Sequence, residues 1–384
     1  MDKIPMLDLK AEYEYMKDDI DAAIKKCLAH QKWIFGPEIA ELEETVAGYL
    51  NTKYCIGVSS GTEALVLSLR ALAIKTKGEE FFGEEDKIIT TPFTFTATGN
   101  AIVRSGATPV FVDIDPETYN IDLKKIKEYL ASAKNVIGIM PVHLYGQPCN
   151  MDEIMTIAAG HNLFVVEDAA QAFGGEWNGS KLGSTGTTGA FSFFPSKNLG
   201  GFGDGGMIST NNPEINEIVR MLIRQGGKDK YNVMHVGYNA RLDTLQAAIV
   251  LAKMKYIDEF IERRRKVAEI YNKELKGIEG LSLPEIPYAA SRYAYNQYTV
   301  RVDAEKRDPL QKFLNEKGIS TMIYYPLPLH KMASFERIVE ISGSLEVAEM
   351  MPQQVLSLPI GPMQKEEDTY YVAKTVREFF ARTV

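Results

Sequence analysis

The chain has 384 residues, of which 45% are hydrophobic and 24% are charged, and these values predict a globular protein with two domains, or one large domain and a smaller one. The formal net charge of -8 argues against a nucleic-acid partner, which needs a basic surface, and the three widely spaced cysteines argue against a disulfide scaffold or a structural zinc. A charged first segment and the lack of any apolar run of about 20 residues predict a cytoplasmic protein with no membrane partner.

Between residues 54 and 167 the chain alternates between short apolar runs, typical of strands, and longer stretches typical of helices. The strands are predicted at Tyr54–Val58, Lys87–Thr91, Thr108–Asp113, Val136–His143 and Leu163–Glu167. The helices are predicted at Gly61–Ile74, Phe95–Ser105, Leu123–Ala133 and Met151–His161. This alternation predicts an α/β fold with a mostly parallel central sheet and helices on both faces.

The pattern changes in the second half of the chain. Two strands, Gly189–Phe194 and Gly206–Thr210, flank a glycine-rich turn, and one long helix is predicted from Arg241 to about Lys276. Further strands and helices are predicted at Gln297–Val302, Ile319–Tyr325, Lys306–Lys317 and Glu366–Arg382. We therefore expect a large domain over residues 1–254 and a smaller C-terminal α+β domain over residues 255–384. The polar insert Lys75–Glu85 is interpreted as a surface loop with two exposed phenylalanines.

Lys197 lies between a predicted strand and a glycine-rich turn, in the sequence FFPSKNLGG. A lysine that loses water there has a lowered pKa and can act as a nucleophilic amine. A solvated turn lysine is the ordinary alternative, and on this segment alone it is the better explanation.

Two carboxylates, Glu167 and Asp168, end an apolar strand, and alternation points them to opposite sides. One of them can therefore face a ligand at the carboxyl end of the sheet, where an aspartate could pair with a protonated pyridine nitrogen. A helix N-cap is an equally good explanation for Asp168. The segment Ser59–Leu65 begins a helix after a strand, which is a natural phosphate seat, although a simply well-capped helix is the commoner case.

Other nucleotide and metal signatures are absent from the sequence. Gly201–Gly206 matches G-x-G-x-x-G, but the strand-like run Met207–Thr210 follows it where a dinucleotide site needs a helix. There is no P-loop and no H-E-x-x-H, and the five histidines show no metal-ligand spacing, so no metal is predicted. A phosphate seat, a strand-end carboxylate and a turn lysine, in that chain order, are what a pyridoxal-phosphate (PLP) enzyme needs.

Five segments of the chain, in order, resemble the DegT/DnrJ/EryC1/StrS family of sugar aminotransferases. They are Ser60–Leu65, Pro92–Thr98, Glu167–Gln171, Phe191–Lys197 and Gly237–Asp243. The resemblance implies the PLP-dependent transferase fold type I. It also implies transfer of an amino group from L-glutamate to a nucleotide-linked keto sugar, in amino-sugar biosynthesis for a surface polysaccharide such as lipopolysaccharide or for a glycoside. A 3-keto sugar is favoured over a 4-keto sugar by residues 141–147 and 237–246.

The resemblance also implies roles for individual residues. Lys197 is expected to carry PLP as a Schiff base and Asp168 to pair with the pyridine nitrogen. Asn239 is expected to reach the phosphate of a partner subunit in a homodimer. The remaining cofactor contacts are expected to be phosphate binding by Gly61, Thr62 and Ser192, ring-hydroxyl contact by Gln171, and ring stacking by Phe95. Substrate contacts are expected at Arg241, Tyr325 and His330, for which loop bracing or simple packing are the alternatives.

Two other functions remain as alternatives. A pyridoxamine-phosphate (PMP)-dependent sugar dehydratase of the same fold has histidine in place of the lysine, so Lys197 argues against that reaction. A non-catalytic regulatory protein of the same fold is disfavoured by the intact Lys197, Asp168 and Thr62. The chain departs from the family pattern at Gly361, where many relatives have histidine, and at the long insert.

Overall fold

The computed structural model describes residues 3–287 and 291–382. Within these ranges the strands are, in chain order, β1 (Tyr54–Val58), β2 (Lys87–Thr90), β3 (Thr108–Phe111), β4 (Val136–Ile139), β5 (Phe164–Asp168), β6 (Glu176–Trp177), β7 (Ser180–Lys181), β8 (Thr188–Ser192), β9 (Gly206–Thr210), β10 (Leu281–Ser282), β11 (Ser291–Arg292), β12 (Tyr298–Val302), β13 (Glu340–Ile341) and β14 (Val355–Leu358). The helices are α1 (Leu9–His30), α2 (Pro37–Leu50), α3 (Gly61–Lys77), α4 (Thr96–Arg104), α5 (Leu123–Leu130), α6 (Met151–His161), α7 (Pro213–Leu222), α8 (Thr244–Met254), α9 (Ile257–Glu274), α10 (Ala304–Glu316), α11 (Glu346–Met350) and α12 (Glu366–Arg382). None of the helices in these ranges is long and apolar enough to cross a membrane.

The central sheet has eight strands in the order β1-β9-β8-β5-β4-β2-β3-β13. β13, β3, β2, β4, β5 and β8 pair in parallel, whereas β9 runs antiparallel to both β8 and β1. Successive strand residues face opposite sides, so Ile88 and Ile89 of β2 belong to different core clusters. On the face of the sheet that includes the Ile88 side chain, α3, α4 and α7 pack against the strands. On the opposite face, which includes Ile89, α2, α6 and α8 pack against them. The predicted mostly parallel sheet with helices on both faces is confirmed.

The C-terminal part of the chain builds a second layer around a three-stranded antiparallel sheet, β10-β12-β14. α9, α10 and α12 pack with this sheet in one apolar cluster. Two short strands from the same part pair with elements of the larger part, since β11 joins β6 and β13 joins β3. The predicted boundary between the two domains at residue 254 stays a prediction. Residues 1–2 of the predicted large domain, and residues 288–290 and 383–384 of the predicted small domain, lie outside the described ranges.

Three local predictions are wrong. The long helix is two helices, α8 and α9, separated at Lys255 and Tyr256, whose side chains both bind Asp19 of α1. Residues 319–325 form only isolated bridges, because Ile319 pairs with the N-terminal segment and Met322 with β14. The insert starts in α3, and Phe82 is only 5% exposed because it packs on the ring of Phe164. Each difference comes from a tertiary contact that local periodicity does not encode.

Candidate active site

Lys197 lies in the turn between β8 and β9, and its own backbone closes that turn. Its N–H donates to the carbonyl of Phe194 (2.9 Å), and Gly201 N donates to the carbonyl of Phe193 (2.7 Å). The side chain is half-buried. Burial lowers the pKa of Lys197 to about 8, while the charge of Asp168 acts in the opposite direction. The amine is therefore partly neutral, and so nucleophilic, near neutral pH.

Asp168 ends β5 beneath this turn and is 5% exposed. Its Oδ2 accepts a hydrogen bond from Thr98 Oγ1 (2.8 Å), and its Oδ1 accepts one from Ala170 N (3.2 Å). Burial raises the pKa of Asp168, and the bonds from Thr98 and Ala170 and the charge of Lys197 act against that rise. The structure thus places a buried carboxylate close enough to Lys197 for their charges to interact. A carboxylate in this position could stabilise the positive charge of a protonated ring nitrogen in a cofactor bound at Lys197.

Glu167 points to the other side of β5, as the alternation predicts. Its carboxylate pairs with His143 Nε2 (3.0 Å) and accepts backbone N–H groups from Gly183 (2.8 Å) and Thr185 (2.8 Å). Burial acts to raise the pKa of Glu167, but the hydrogen bond and charge of His143, together with backbone hydrogen bonds from Gly186 and Gly183, lower it. Glu167 therefore anchors the strand end, and only Asp168 is left to face a ligand.

The start of α3 forms a cradle with the end of β8. Ser60 is the N-cap, and its Oγ accepts from Glu63 N (3.1 Å). A Cβ at Gly61 would lie 2.7 Å from Ser192 Cβ, so only glycine lets the helix start approach Ser192. The three residues predicted to bind phosphate therefore lie at one helix N-terminus; they are Gly61, Thr62 and Ser192. Free N–H groups and the helix dipole attract anions there.

A cleft of about 640 Å³ opens beside this cradle, lined by Ser59, Ser60, Thr62, Asp204, Arg241, Asp243 and Gln246. Within the described part of the chain, the buried Nε of Arg241 has no hydrogen-bond partner. A buried unpaired guanidinium donor is costly, and an anion in the cleft would satisfy it. The cradle, the unpaired donor and the half-buried Lys197 together fit a phosphorylated aldehyde cofactor such as PLP.

Gln171, Tyr325 and Phe95 form a second wall near Asp168, whose charge acts on Tyr325. Gln171 Oε1 accepts from Tyr145 N (2.7 Å), and its Nε2 donates to the hydroxyl of Tyr325 (2.9 Å). The ring of Phe95, which is 57% exposed, lies 6.1 Å from the ring of Tyr325 between centroids. An exposed aromatic face beside a polar wall is suited to stacking on a flat ligand.

Two predicted residues lie away from this wall. Asn239 is exposed, and its Oδ1 accepts a hydrogen bond from Arg241 NH2 (2.5 Å). His330 is buried and bonds through Nε2 to Glu349 Oε1 (2.9 Å). The structure therefore gives His330 a hydrogen-bond partner within the chain and leaves Asn239 exposed.

Sequence reasoning missed the residues that hold the site in place. Asn296 Nδ2 donates to the carbonyl of Ser196 (3.3 Å) and to Asn198 Oδ1 (2.8 Å), so the lysine turn is held by the segment before β12. Arg264 is buried and donates to the carbonyls of Tyr295 (3.2 Å) and Asn296 (3.5 Å). A signal did exist, because Asn296 lies in the tyrosine-rich segment YAYNQY, but its partner could not be read from spacing.

Comparisons with known proteins identify the family of the chain. The family model of the DegT/DnrJ/EryC1/StrS aminotransferase family matches residues 14–377. The chain is 43% identical to a protein of Geobacillus stearothermophilus named pleiotropic regulatory protein, covering 98% of each chain. It is 40% identical to the UDP-2-acetamido-2-deoxy-3-oxo-D-glucuronate aminotransferase of Pseudomonas aeruginosa, covering 94% of this chain and 95% of that protein.

Solved structures show the same fold. DesV of S. venezuelae has a TM-score of 0.93 at 37% identity, with 99% of each chain covered. NtdA of Bacillus subtilis, solved with bound PMP, has a TM-score of 0.89 at 31% identity, covering 99% of this chain and 86% of that one. The predicted fold type, family and cofactor are thereby confirmed. The chain belongs to the DegT/DnrJ/EryC1/StrS aminotransferase family and is a PLP-dependent aminotransferase of the nucleotide-sugar type.

Proposed function

We propose that this protein moves an amino group from L-glutamate to the 3-keto carbon of a nucleotide-linked sugar. The observation that carries the proposal is the half-buried Lys197, whose pKa is lowered to about 8 by burial in a turn that faces Asp168. An amine that is partly neutral near physiological pH can take a proton from a carbon acid and return it. The dehydratase alternative has no equivalent use for a lysine at this position.

The proposed roles follow from where the side chains lie. PLP, when bound, supplies a conjugated ring that withdraws electrons from the carbon that bears the amino group. Asp168 keeps a proton on the ring nitrogen, because a buried carboxylate stabilises a neighbouring cation. Lys197 holds the cofactor at rest and then moves the proton between the donor carbon and the cofactor. The phosphate is held by Gly61, Thr62 and Ser192, and the ring is flanked by Gln171 and Phe95.

The preference for a 3-keto sugar rests on the 141–147 and 237–246 segments and on the Pseudomonas aeruginosa relative, whose name specifies a 3-oxo sugar. Arg241, with its unpaired buried Nε, is the proposed contact for an anionic group of the substrate. Tyr325 is a second proposed contact, because it lines the same wall as Phe95. Incubation of the enzyme with L-glutamate and a panel of nucleotide 3-keto and 4-keto sugars, read by mass spectrometry, tests this preference.

A homodimer with shared sites is also part of the proposal. Large apolar side chains are exposed on one chain, among them Trp33, Phe35, Phe194, Phe202, Tyr231, Val233, Met234 and Val236. Phe35 and Val233 line one cleft with Arg241, so these two exposed side chains adjoin the proposed phosphate seat. Clustered exposure of this kind marks a surface that another chain covers. We propose that the dimer works in the cytoplasm, in amino-sugar synthesis for a surface polysaccharide or a glycoside.

The central test is spectroscopic. Purified protein with PLP is expected to show a visible absorption band that L-glutamate bleaches, and Lys197→Ala is expected to abolish both the band and amine transfer. Lys134→Ala, which removes an exposed lysine, is the matched control and is expected to leave both unchanged. A wild-type protein that never shows the band contradicts the proposal. A product that has lost a hydroxyl indicates the dehydratase, and a band without amine transfer to any sugar indicates a regulatory protein.

A further inference from the structure

The long insert ends in a loop that is bonded to two separate parts of the chain. We call residues Gly78–Glu85 the insert loop. Glu80 lies at its centre, and its Oε1 bonds to His235 Nδ1 (2.8 Å) while its Oε2 accepts from Val236 N (3.1 Å). The same Oε2 accepts from Arg70 NH2 of α3 (2.9 Å), and the backbone carbonyl of Glu80 accepts from Arg70 Nε (2.5 Å).

Arg70 is the second half of this junction, and its side chain is fully buried. Its NH1 donates to the hydroxyl of Tyr238 (2.6 Å), and its NH2 also donates to the carbonyl of Val236 (3.0 Å). The guanidinium lies 3.7 Å from the centroid of the Phe81 ring, which covers it from the insert side. A buried guanidinium needs all of these acceptors, so the insert loop and the segment containing Val236 are fixed together.

That segment is a compact loop, residues 225–239, which we call the arm. Its base is closed by hydrogen bonds from Gln225 N to the Tyr238 carbonyl (3.0 Å) and from Tyr238 N to the Leu222 carbonyl (2.7 Å). Its tip is exposed and carries both charged and apolar side chains, with Tyr231 85% exposed. Asn239, the residue proposed to reach the partner subunit's cofactor, follows Tyr238 directly. The position of Asn239 therefore depends on how the Tyr238 end of the arm is held.

We infer that Glu80 is a positioning residue: through Arg70 and the arm it sets where Asn239 is presented to the cofactor site of the partner subunit. The inference rests on the proposed homodimer with shared sites. Glu80 does not contact the cofactor site itself but holds the arm that reaches the partner subunit. Its loss should therefore weaken the cofactor site of the partner and leave the site that contains Lys197 of its own subunit unchanged. This gives the insert a role in the reaction, although no residue of the insert touches the cofactor residues.

The first measurement is the affinity for PLP and the turnover of Glu80→Ala. We expect PLP to bind the Glu80→Ala homodimer about 10-fold or more weakly, because loss of the ionic hydrogen bonds of Glu80 releases the arm that positions Asn239. Glu79→Ala, at the exposed neighbouring position, is the matched control and should match wild type. Should Glu80→Ala not fold, Tyr238→Phe removes only the hydroxyl that accepts from Arg70 and tests the same connection. Unchanged PLP affinity in both variants overturns the inference.

The deciding experiment uses hybrid dimers purified with two different tags. In a hybrid of Glu80→Ala and Lys197→Ala subunits, the one site with a lysine belongs to the Glu80→Ala subunit and receives an intact arm. We expect this site to bind PLP and turn over as in a wild-type/Lys197→Ala hybrid. A hybrid site that stays as weak as the Glu80→Ala homodimer shows that Glu80 acts within its own subunit, which overturns the inference. Failure of the wild-type/Lys197→Ala hybrid to form, or to work, instead contradicts the proposed shared-site homodimer.

Discussion

Removal of one hydroxyl, in Thr98→Val, tests whether the charge of Asp168 controls the reaction. Thr98 is fully buried on α4, and its Oγ1 donates to Asp168 Oδ2 at 2.8 Å. Valine has almost the same shape, so the substitution removes the hydrogen bond and leaves the packing. The other carboxylate oxygen keeps its longer bond from Ala170 N.

The size of the effect follows from this geometry. A hydrogen bond to a charged group contributes about 1.5–3 kcal/mol, and its loss disfavours the ionised form of Asp168 by that amount. Since about 1.4 kcal/mol is tenfold in rate, kcat is expected to fall by about 10- to 100-fold. Burial already raises the pKa of Asp168, and loss of the Thr98 bond raises it further. The acid limb of the pH–rate profile is therefore expected to move to higher pH.

The assay is the pH dependence of kcat for amine transfer from L-glutamate, measured on the PLP-loaded enzyme. Thr94→Val is the matched control, because Thr94 is buried in the same cluster and bonds to Thr98 Oγ1 (3.0 Å) but not to Asp168. We expect Thr94→Val to change kcat only slightly and to leave the acid limb in place. A Thr98→Val enzyme with the wild-type acid limb and kcat would refute the reasoning that Asp168 works through its charge.

Three further predictions follow from the same structure. Gly61→Ala places a Cβ 2.7 Å from Ser192 Cβ and is expected to weaken PLP binding, measured by titration of the visible band, whereas Gly48→Ala has open space and should leave it intact; equal affinities contradict the cradle. Because only the neutral amine attacks an aldehyde and burial lowers the pKa of Lys197 to about 8, band formation by apo-protein should speed up as pH rises through about 8 in stopped-flow traces, and a flat profile between pH 7 and 9 contradicts this. Arg264→Met leaves three buried backbone carbonyls without their donor and is expected to lower the free energy of unfolding by about 3 kcal/mol in urea titrations; a loss under about 1 kcal/mol contradicts the bracing role.

The sequence determined the elements whose signal is local. β1, β8 and β9 have the bounds predicted for them, to within two residues, because each is a short apolar run between turn residues. The long predicted helix failed at Tyr256, since neither glycine nor proline marks the break and the cause is a contact with Asp19 on a distant helix. The prediction that Phe82 is exposed failed for the same reason. Its burial depends on a contact with Phe164, which is 82 residues away in the chain.

For the site, the sequence by itself determined which residues are candidates for the chemistry and in what order they occur. Lys197, Asp168 and Thr62 each sit in a short segment that has an ordinary structural explanation when read alone. Their occurrence together in chain order, with the family resemblance, made them candidates. Only the tertiary structure decided that Lys197 is half-buried opposite Asp168 and that Glu80 holds the arm that carries Asn239. The physical reason is that burial, pKa and hydrogen-bond partners depend on which strands and loops become neighbours in space. The sequence contains both members of each such contact, but the order of residues along the chain does not show which of them pair.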